Sequence, residues 1–314
     1  MNFVHVTSLS EKKNKKPGGI LKKITDNTEG AIEYYDRIWS NHFRTQTIGE
    51  ELLPGFHYGF FEKGVKTLND AMYNMNDFVS RLLDLEENKT MEILDVGCGT
   101  GCTSLYLAER YPNSRFSGIS LAPNEIALAK KFAKNKNIDS TKFILGNYLD
   151  TRFPDGSFDA IYALESMSYA IDKKAFVNEM YRILKSNGRL AIIDGFRKDI
   201  PPTCIMKKIY DSHRKTRGRP DLASLSMFKT YLKEIGFKDI EISNISKNIR
   251  RHFISSLFNI LTGFSPSMIK ADTKNEKHAS KRREYRYVSM RILLDSFFGL
   301  VGISTFNSIT AIKK

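Results

Sequence analysis

The chain has 314 residues, 41% of them hydrophobic, enough for one large α/β core with additions or two small cores. Its 49 lysines and arginines against 35 acidic residues leave a net charge of +14, which favours an anionic partner: nucleic acid, a phosphorylated small molecule or an anionic membrane surface. The three cysteines, Cys98, Cys102 and Cys204, show neither zinc spacing nor a disulfide framework, so a disulfide-built secreted module is excluded and a reducing cytoplasm is expected.

Residues 1–27 are rich in lysine and carry Pro17, Gly18 and Gly19, as expected of a loose basic tail. The opening ten residues are too short and too polar for a signal peptide. Residues 28–88 read as a helical cover. They hold Tyr34, Tyr35 and Trp39, then Phe56-His57-Tyr58-Gly59-Phe60-Phe61, and last an apolar spacing that predicts a helix over 68–85. Taken together, Tyr34, Tyr35, Trp39, Phe56, Phe60 and Phe61 suggest the wall of an apolar pocket, while each alone is also an ordinary core aromatic. His57 is a candidate base or substrate contact, with a structural histidine as the alternative.

Residues 91–101 read Met-Glu-Ile-Leu-Asp-Val-Gly-Cys-Gly-Thr-Gly, a buried strand that breaks at Gly97, Gly99 and Gly101 and gives way to a helix over 102–110. Such a loop lies beyond the carboxyl end of its strand, where open α/β sheets bind ligands, and lets a ligand approach the main chain. The dinucleotide pattern Gly-x-Gly-x-x-Gly fails here, because Cys102 stands at its third glycine. Asp95, at the mouth of the strand, suits a cationic ligand better than a pyrophosphate.

At these residues the chain resembles the class I S-adenosylmethionine-dependent methyltransferases. The resemblance implies a Rossmann-like α/β fold with a seven-stranded sheet and S-adenosyl-L-methionine as cofactor. It sets Asp95 near the amino group of the cofactor's methionine part, over Gly97, Cys98, Gly99 and Gly101. Tyr-Tyr-Asp at 34–36 and His-Tyr-Gly-Phe-Phe-Glu at 57–62 resemble the N-terminal cover of the tocopherol, sterol and prenyl-substrate branch, which closes over the cofactor and brings Tyr35 to it.

Further along, residues 115–119 predict a second strand ending at Ser120-Leu121-Ala122-Pro123-Asn124-Glu125. Many class I enzymes have an acid at the place of Ser120. Here the resemblance assigns the ribose contacts to Ser120, Leu121 and Glu125, since the carboxylate can accept from hydroxyls; a surface acid in a first helical turn is the alternative. A third strand over 142–145 leads to Asn147, matched to the adenine amino group, and Tyr148, matched to the adenine ring. Residues 153–161 lead into a fourth strand that ends at Glu165-Ser166-Met167-Ser168-Tyr169, similar to the Glu-Ser segment of prenyl diphosphate C-methyltransferases. Methylation of an alkene leaves a carbocation, for which Glu165 is the candidate base and Tyr169 a candidate electron-rich face; Glu165 could instead order the cofactor or a loop.

A helix over 175–185, a fifth strand over 189–194, a helix over 227–234, a sixth strand over 237–242 and a seventh near 306–312 complete the sheet. Two insertions, residues 196–225 and 243–304, are expected to cap the substrate within a core spanning 89–314. They carry the basic runs 213–219 and 281–286, which could bind a diphosphate or form solvated faces. The apolar stretches 253–264 and 292–306 are too short for a spanning helix or contain Asp295, so a soluble protein with room for peripheral membrane contact is expected. No nucleic-acid recognition motif appears and no nucleic-acid partner is expected; the six histidines show no metal-ligand spacing. The expected activity is methyl transfer to a lipophilic small molecule, with carbon methylation of a prenyl or terpenoid skeleton first and oxygen or nitrogen methylation of a natural product second.

Overall fold

The computed structural model describes residues 57–199, 203–216, 219–261 and 304–314. The basic tail, Tyr34, Tyr35, Trp39, Phe56 and the run 281–286 lie outside the described residues. Helix α1 (Leu68–Leu83) opens on a capping box, in which the Thr67 hydroxyl accepts from the Asp70 amide and the Asp70 carboxylate accepts from the Thr67 amide. It closes at Asp84 in the left-handed conformation, two residues short of the expected end. Strand β1 (Glu92–Val96) and helix α2 (Cys102–Arg110) flank the glycine loop. Then come β2 (Arg115–Ser120), α3 (Pro123–Lys136), β3 (Thr141–Leu145), β4 (Phe158–Leu164), α4 (Lys173–Ile183) and β5 (Leu184–Arg197).

Helices α5 (Cys204–Thr216) and α6 (Leu225–Ile235) precede β6 (Phe237–Asn244), α7 (Ser246–Leu261) and β7 (Ser304–Lys313). Helix α6 starts at the Ser224 cap and stops at Gly236, whose φ of 116° only glycine adopts without strain. Strand β5 begins earlier than its apolar run indicates, because Leu184 pairs with Phe158 before the left-handed turn at Asn187. Helix α5 lies within the first insertion, where the sequence offered only a basic run.

The strand order is β3-β2-β1-β4-β5-β7-β6, with parallel pairing throughout β3 to β5 and β7 inserted antiparallel between β5 and β6. Successive strand residues feed opposite layers. Leu94, Val96, Ile161 and Ile192 face Phe176, Met180, Phe228 and Leu232 of α4 and α6. Ile93, Ala160, Tyr162 and Ile193 face Met75, Val79 and Leu83 of α1, Leu107 of α2 and Ile249 of α7. Both faces are thus covered, which is why these strands read as nearly unbroken apolar runs. Among the described residues no helix is long and apolar enough to cross a membrane.

Phe176 is fully buried and meets Tyr148 edge-on at 5.6 Å, beneath the carboxyl edge of the sheet. Phe176→Ala should lower unfolding free energy by about 3–5 kcal/mol, read as a shift in the urea midpoint at unchanged slope.

Candidate active site

The glycine loop sits where the β1 and β4 ends meet. The amides of Gly97 and Cys98 both donate to the Ile119 carbonyl, at 2.8 and 3.1 Å, folding the loop over β2. Gly97 has φ 77°, and a Cβ there would come within 2.4 Å of the Ser166 Cβ. The Ser166 hydroxyl donates to the Val96 carbonyl, so the segment after β4 is clamped directly against the loop. At Gly99 a Cβ would find only the Glu125 Oε1 at 3.9 Å, leaving open space above the main chain. Cys98 is buried over Gly118, where a Cβ would lie 2.9 Å from its sulfur, so a small side chain is required; burial pushes its thiol well above the ordinary range.

Asp95 is 3% exposed. Its Oδ2 accepts from the Ser104 hydroxyl and the Tyr162 hydroxyl, each at 2.7 Å. Strand pairing puts Tyr162 directly beside Asp95, and Ser104 comes from the first turn of α2. Burial raises the Asp95 carboxyl to about 6, against the opposing pull of the two hydroxyls. The donors leave Oδ1 for a ligand cation.

Glu125, in the first turn of α3, is 4% exposed and accepts from the Ser120 hydroxyl at 2.8 Å through Oε2. A surface role for it is therefore excluded. The Ser120 Oγ also accepts from the Ala122 amide, which fixes the turn containing the half-buried Leu121. The Asn147 Oδ1 accepts from the Leu149 amide at 2.9 Å, so one of its lone pairs shapes the turn. Tyr148 is drawn into the core, donating from its hydroxyl to the Ser166 carbonyl at 3.1 Å.

Glu165 follows β4 in the left-handed region, φ 55°, a costly conformation for a residue with a side chain. Its Oε1 accepts from the Tyr58 amide at 2.6 Å. Tyr58 lies edge-on to His252, Phe253 and Phe306, with ring centres 5.1, 4.7 and 5.5 Å away. Tyr169 is half-buried in the 3-10 turn Met167–Tyr169, whose Ser168 amide donates to the buried Asp194 at 2.8 Å.

Residues 57–66 form a strap bound on both sides. His57 is buried, with Nδ1 3.0 Å from the Tyr58 carbonyl and Nε2 3.0 Å from the Asn76 Oδ1, which also accepts from Thr103. Both ring nitrogens are thus engaged, the arrangement of a bracket between strap, α1 and α2. On the other side, the Phe61 amide donates to the Asn248 carbonyl, and Arg251 donates to the carbonyls of Val65 and Lys66. His252 Nδ1 accepts from the Gly59 amide, and burial lowers its pKa to about 4, keeping it neutral. Of the expected pocket aromatics that are described, Phe60 stacks on Phe78 at 4.2 Å in the core and Phe61 lies under the Arg251 guanidinium.

Ser104, Tyr162, Asn76, Tyr58, His252 and Asp194 were not identified from the sequence. Of these, Tyr58 lies within the motif at 57–62 and Asp194 at the end of an apolar strand, while the other four carry no local signal. The residues chosen on β1, β2 and β4 and in their following loops do converge on one carboxyl edge; Tyr35 lies outside the described residues.

A sheet of this order, with a glycine loop after β1 and a buried acid on each side of it, defines the class I methyltransferase architecture. Residues 94–192 match the family described as methyltransferase domain. An O-methyltransferase of Aspergillus nomiae is 30% identical over 199 residues, covering 62% of this chain and 86% of that protein. Ajmaline N-methyltransferase of Rauvolfia serpentina is 26% identical over 246 residues, covering 72% and 79%. The crystal structure of geranyl diphosphate C-methyltransferase from Streptomyces coelicolor, in complex with Mg2+, geranyl-S-thiolodiphosphate and S-adenosyl-L-homocysteine, superposes with a TM-score of 0.69 at 16% identity, over 92% of this chain and 98% of that one. The chain belongs to the class I S-adenosylmethionine-dependent methyltransferases, and S-adenosylmethionine is its cofactor.

The raised Asp95 pKa carries a definite sign. Its contribution to the stability of the ligand-free fold is fully present below the unfolded value of 3.8 and is lost as pH rises through about 6. A cationic ligand favours the ionised form, so S-adenosylmethionine affinity should fall as pH drops from 7 to 5, approaching tenfold per unit below about 6. Calorimetric titration across that range checks this, and Asp95→Asn should bind weakly with no such slope.

Proposed function

We propose that the enzyme methylates a lipophilic small molecule, and that the acceptor is a carbon of a prenyl or terpenoid skeleton. Asp95 holds the ammonium of the cofactor's methionine part, with Gly97, Cys98, Gly99 and Gly101 beneath it. Ser120, Leu121 and Glu125 take the ribose, while Asn147 accepts from the adenine amine and Tyr148 supports that turn from below. When bound, S-adenosylmethionine supplies a methyl group already activated on a sulfonium. The protein has to align the acceptor, exclude water and receive a proton.

The observation that carries the reading is the carboxylate of Glu165, strained at the carboxyl end of β4, clamped by Ser166 beside Gly97 and tied to the strap at Tyr58. In this reading the acceptor alkene lies between the loop and the aromatic group of Tyr58, His252, Phe253 and Phe306, with Tyr169 opposite. Methylation of the alkene makes a tertiary cation that the ring faces stabilise, and Glu165 removes the neighbouring proton to restore a double bond. Because Glu165 accepts from the strap backbone, one hydrogen bond ties the position of the base to that of the strap. The likeness in fold to a geranyl diphosphate C-methyltransferase supports the acceptor class.

Oxygen or nitrogen methylation is the second reading, favoured by the similarity to the O- and N-methyltransferases of Aspergillus nomiae and Rauvolfia serpentina. Glu165 would then take its proton from a hydroxyl or an ammonium. Radiolabelled methyl donor offered with prenyl diphosphates, sterols, tocopherol-like phenols, amines and tRNA separates the two. Label is expected in a prenyl diphosphate, with Glu165→Gln lowering kcat at least about 100-fold and leaving cofactor affinity within about twofold. Label confined to phenols or amines would discard carbon methylation, and an unimpaired Glu165→Gln would remove the base.

A further inference from the structure

The end of β5 carries cationic groups that methyl transfer itself does not use. The Nε atoms of Arg197 and Arg219 are buried and have no hydrogen-bond partner among the described residues. A buried donor without an acceptor is costly, and both arginines are half-buried, so an anion would approach the guanidinium groups from their open side and draw the Nε donors into the contact. Both arginines converge on one loop. The Arg197 amide donates to the Ala223 carbonyl, its Nε stands 4.0 Å from the Asp221 Oδ2, and Arg219 precedes Asp221 by two residues.

Lys173 completes the group. It is 8% exposed and its ammonium donates to the carbonyls of Ser168 and Ala170, which leaves one proton unassigned. Burial lowers its pKa to about 8, and the positive charge of Arg219 acts in the same direction. The nearby carboxylates are already committed. Asp194 accepts from the amides of Ser168 and Gly195, and the Asp221 Oδ1 accepts from the Tyr210 hydroxyl at 2.7 Å. Asp172 and Asp199 also lie near these cations, but the first accepts from the Ala175 amide and the second from the Ser226 hydroxyl, so each of the four carboxylates around the three cations is already engaged elsewhere.

We propose that Arg197, Arg219 and Lys173 form the seat for the phosphate or diphosphate group of the methyl acceptor. This rests on the small-molecule reading above and names the head group that such an acceptor carries. Guanidinium forks match phosphate oxygens in pairs, so an anion here can be shared between the two arginines. Lys173 also holds the turn that bears Tyr169, so occupation of the seat and placement of the acceptor chain beside Glu165 are coupled. Of the basic run at 213–219, only Arg219 is assigned to the seat; Arg214 is already paired with Asp211 at 3.0 Å.

The test is calorimetric titration of the full chain, saturated with S-adenosylhomocysteine, with inorganic pyrophosphate and with inorganic phosphate. Pyrophosphate should bind, more weakly as salt rises. The double variant Arg197→Gln/Arg219→Gln should lose at least about tenfold in affinity and Arg219→Gln alone at least about threefold, whereas Arg214→Gln, which removes the same single charge as Arg219→Gln, should stay within about twofold. Unchanged S-adenosylhomocysteine affinity shows that the variants fold, and Arg219→Lys, which keeps the charge but loses the fork, should fall between. Equal affinity for inorganic phosphate assigns a phosphomonoester rather than a diphosphate to the seat. No binding by the unaltered enzyme at millimolar pyrophosphate, or equal affinity in the double variant and Arg214→Gln, overturns the proposal. Pyrophosphate binding lost in the double variant, with no prenyl diphosphate methylated, keeps the seat and discards the prenyl acceptor. Prenyl diphosphate methylated with the same kcat/KM by the double variant does the reverse.

Discussion

A carboxylate buried at the end of a parallel strand is an expensive thing to keep, and the arrangement around Asp95 is organised by that cost. Two hydroxyls, from Ser104 on α2 and Tyr162 on β4, satisfy one of its oxygens without neutralising the charge. That both come from other elements fixes how α2 and β4 sit against β1. The remaining deficit is electrostatic, and the cofactor family supplies a compact cation of the right sign. The glycine loop fits the proposed binding mode, in which the ligand comes down onto the main chain beside Asp95, and side chains at Gly97 or Gly101 would collide with Ser166 or Phe143.

The second constraint is the strap. Methyl transfer needs a dry site, yet the carboxyl edge of an open sheet is its wettest part. Residues 57–66 lie over that edge, held by Asn76 on α1 and by Asn248, Arg251 and His252 on α7. A neutral His252 suits this place, since it accepts a backbone hydrogen bond without adding charge beside the site. The contact from the Tyr58 amide to Glu165 joins the strap to the sheet end, so the lid and the proposed base share one hydrogen bond. Helix α7 opens the second insertion, which gives that insertion a structural task besides any contact with substrate.

Much of this fold could be read directly from the residues. Strands such as β1 and β4 are short apolar runs with glycine or polar breaks, and α2 falls on the expected span 102–110, after the glycines and with Leu105, Leu107 and Ala108 on its buried face. The boundary of α4 and β5 was misread, since Leu184 continues the helical spacing although its backbone already pairs with Phe158. Asp95, Glu125 and Glu165 were legible because local motifs carry them. Their partners were not, because Ser104, Tyr162 and Tyr58 are ordinary residues that matter only through contacts at separations of 9, 67 and 107 residues. For His57 and Phe60 the sequence left a structural and a functional reading open, because only long-range contacts show that the histidine braces the strap and the aromatic packs in the core.

In the proposed binding mode two buried acids, one on each side of the glycine loop, receive the cofactor: Asp95 its ammonium and Glu125 its ribose. A crystal structure of the enzyme with S-adenosylhomocysteine tests it most directly. The amino group is expected on Oδ1 of Asp95, a ribose hydroxyl on Glu125, and the strap in place with Tyr58 still bonded to Glu165. A ligand held elsewhere on the sheet edge, or one bound over the loop with Glu125 turned away and Asp95 bridged only to Ser104 and Tyr162, would contradict it.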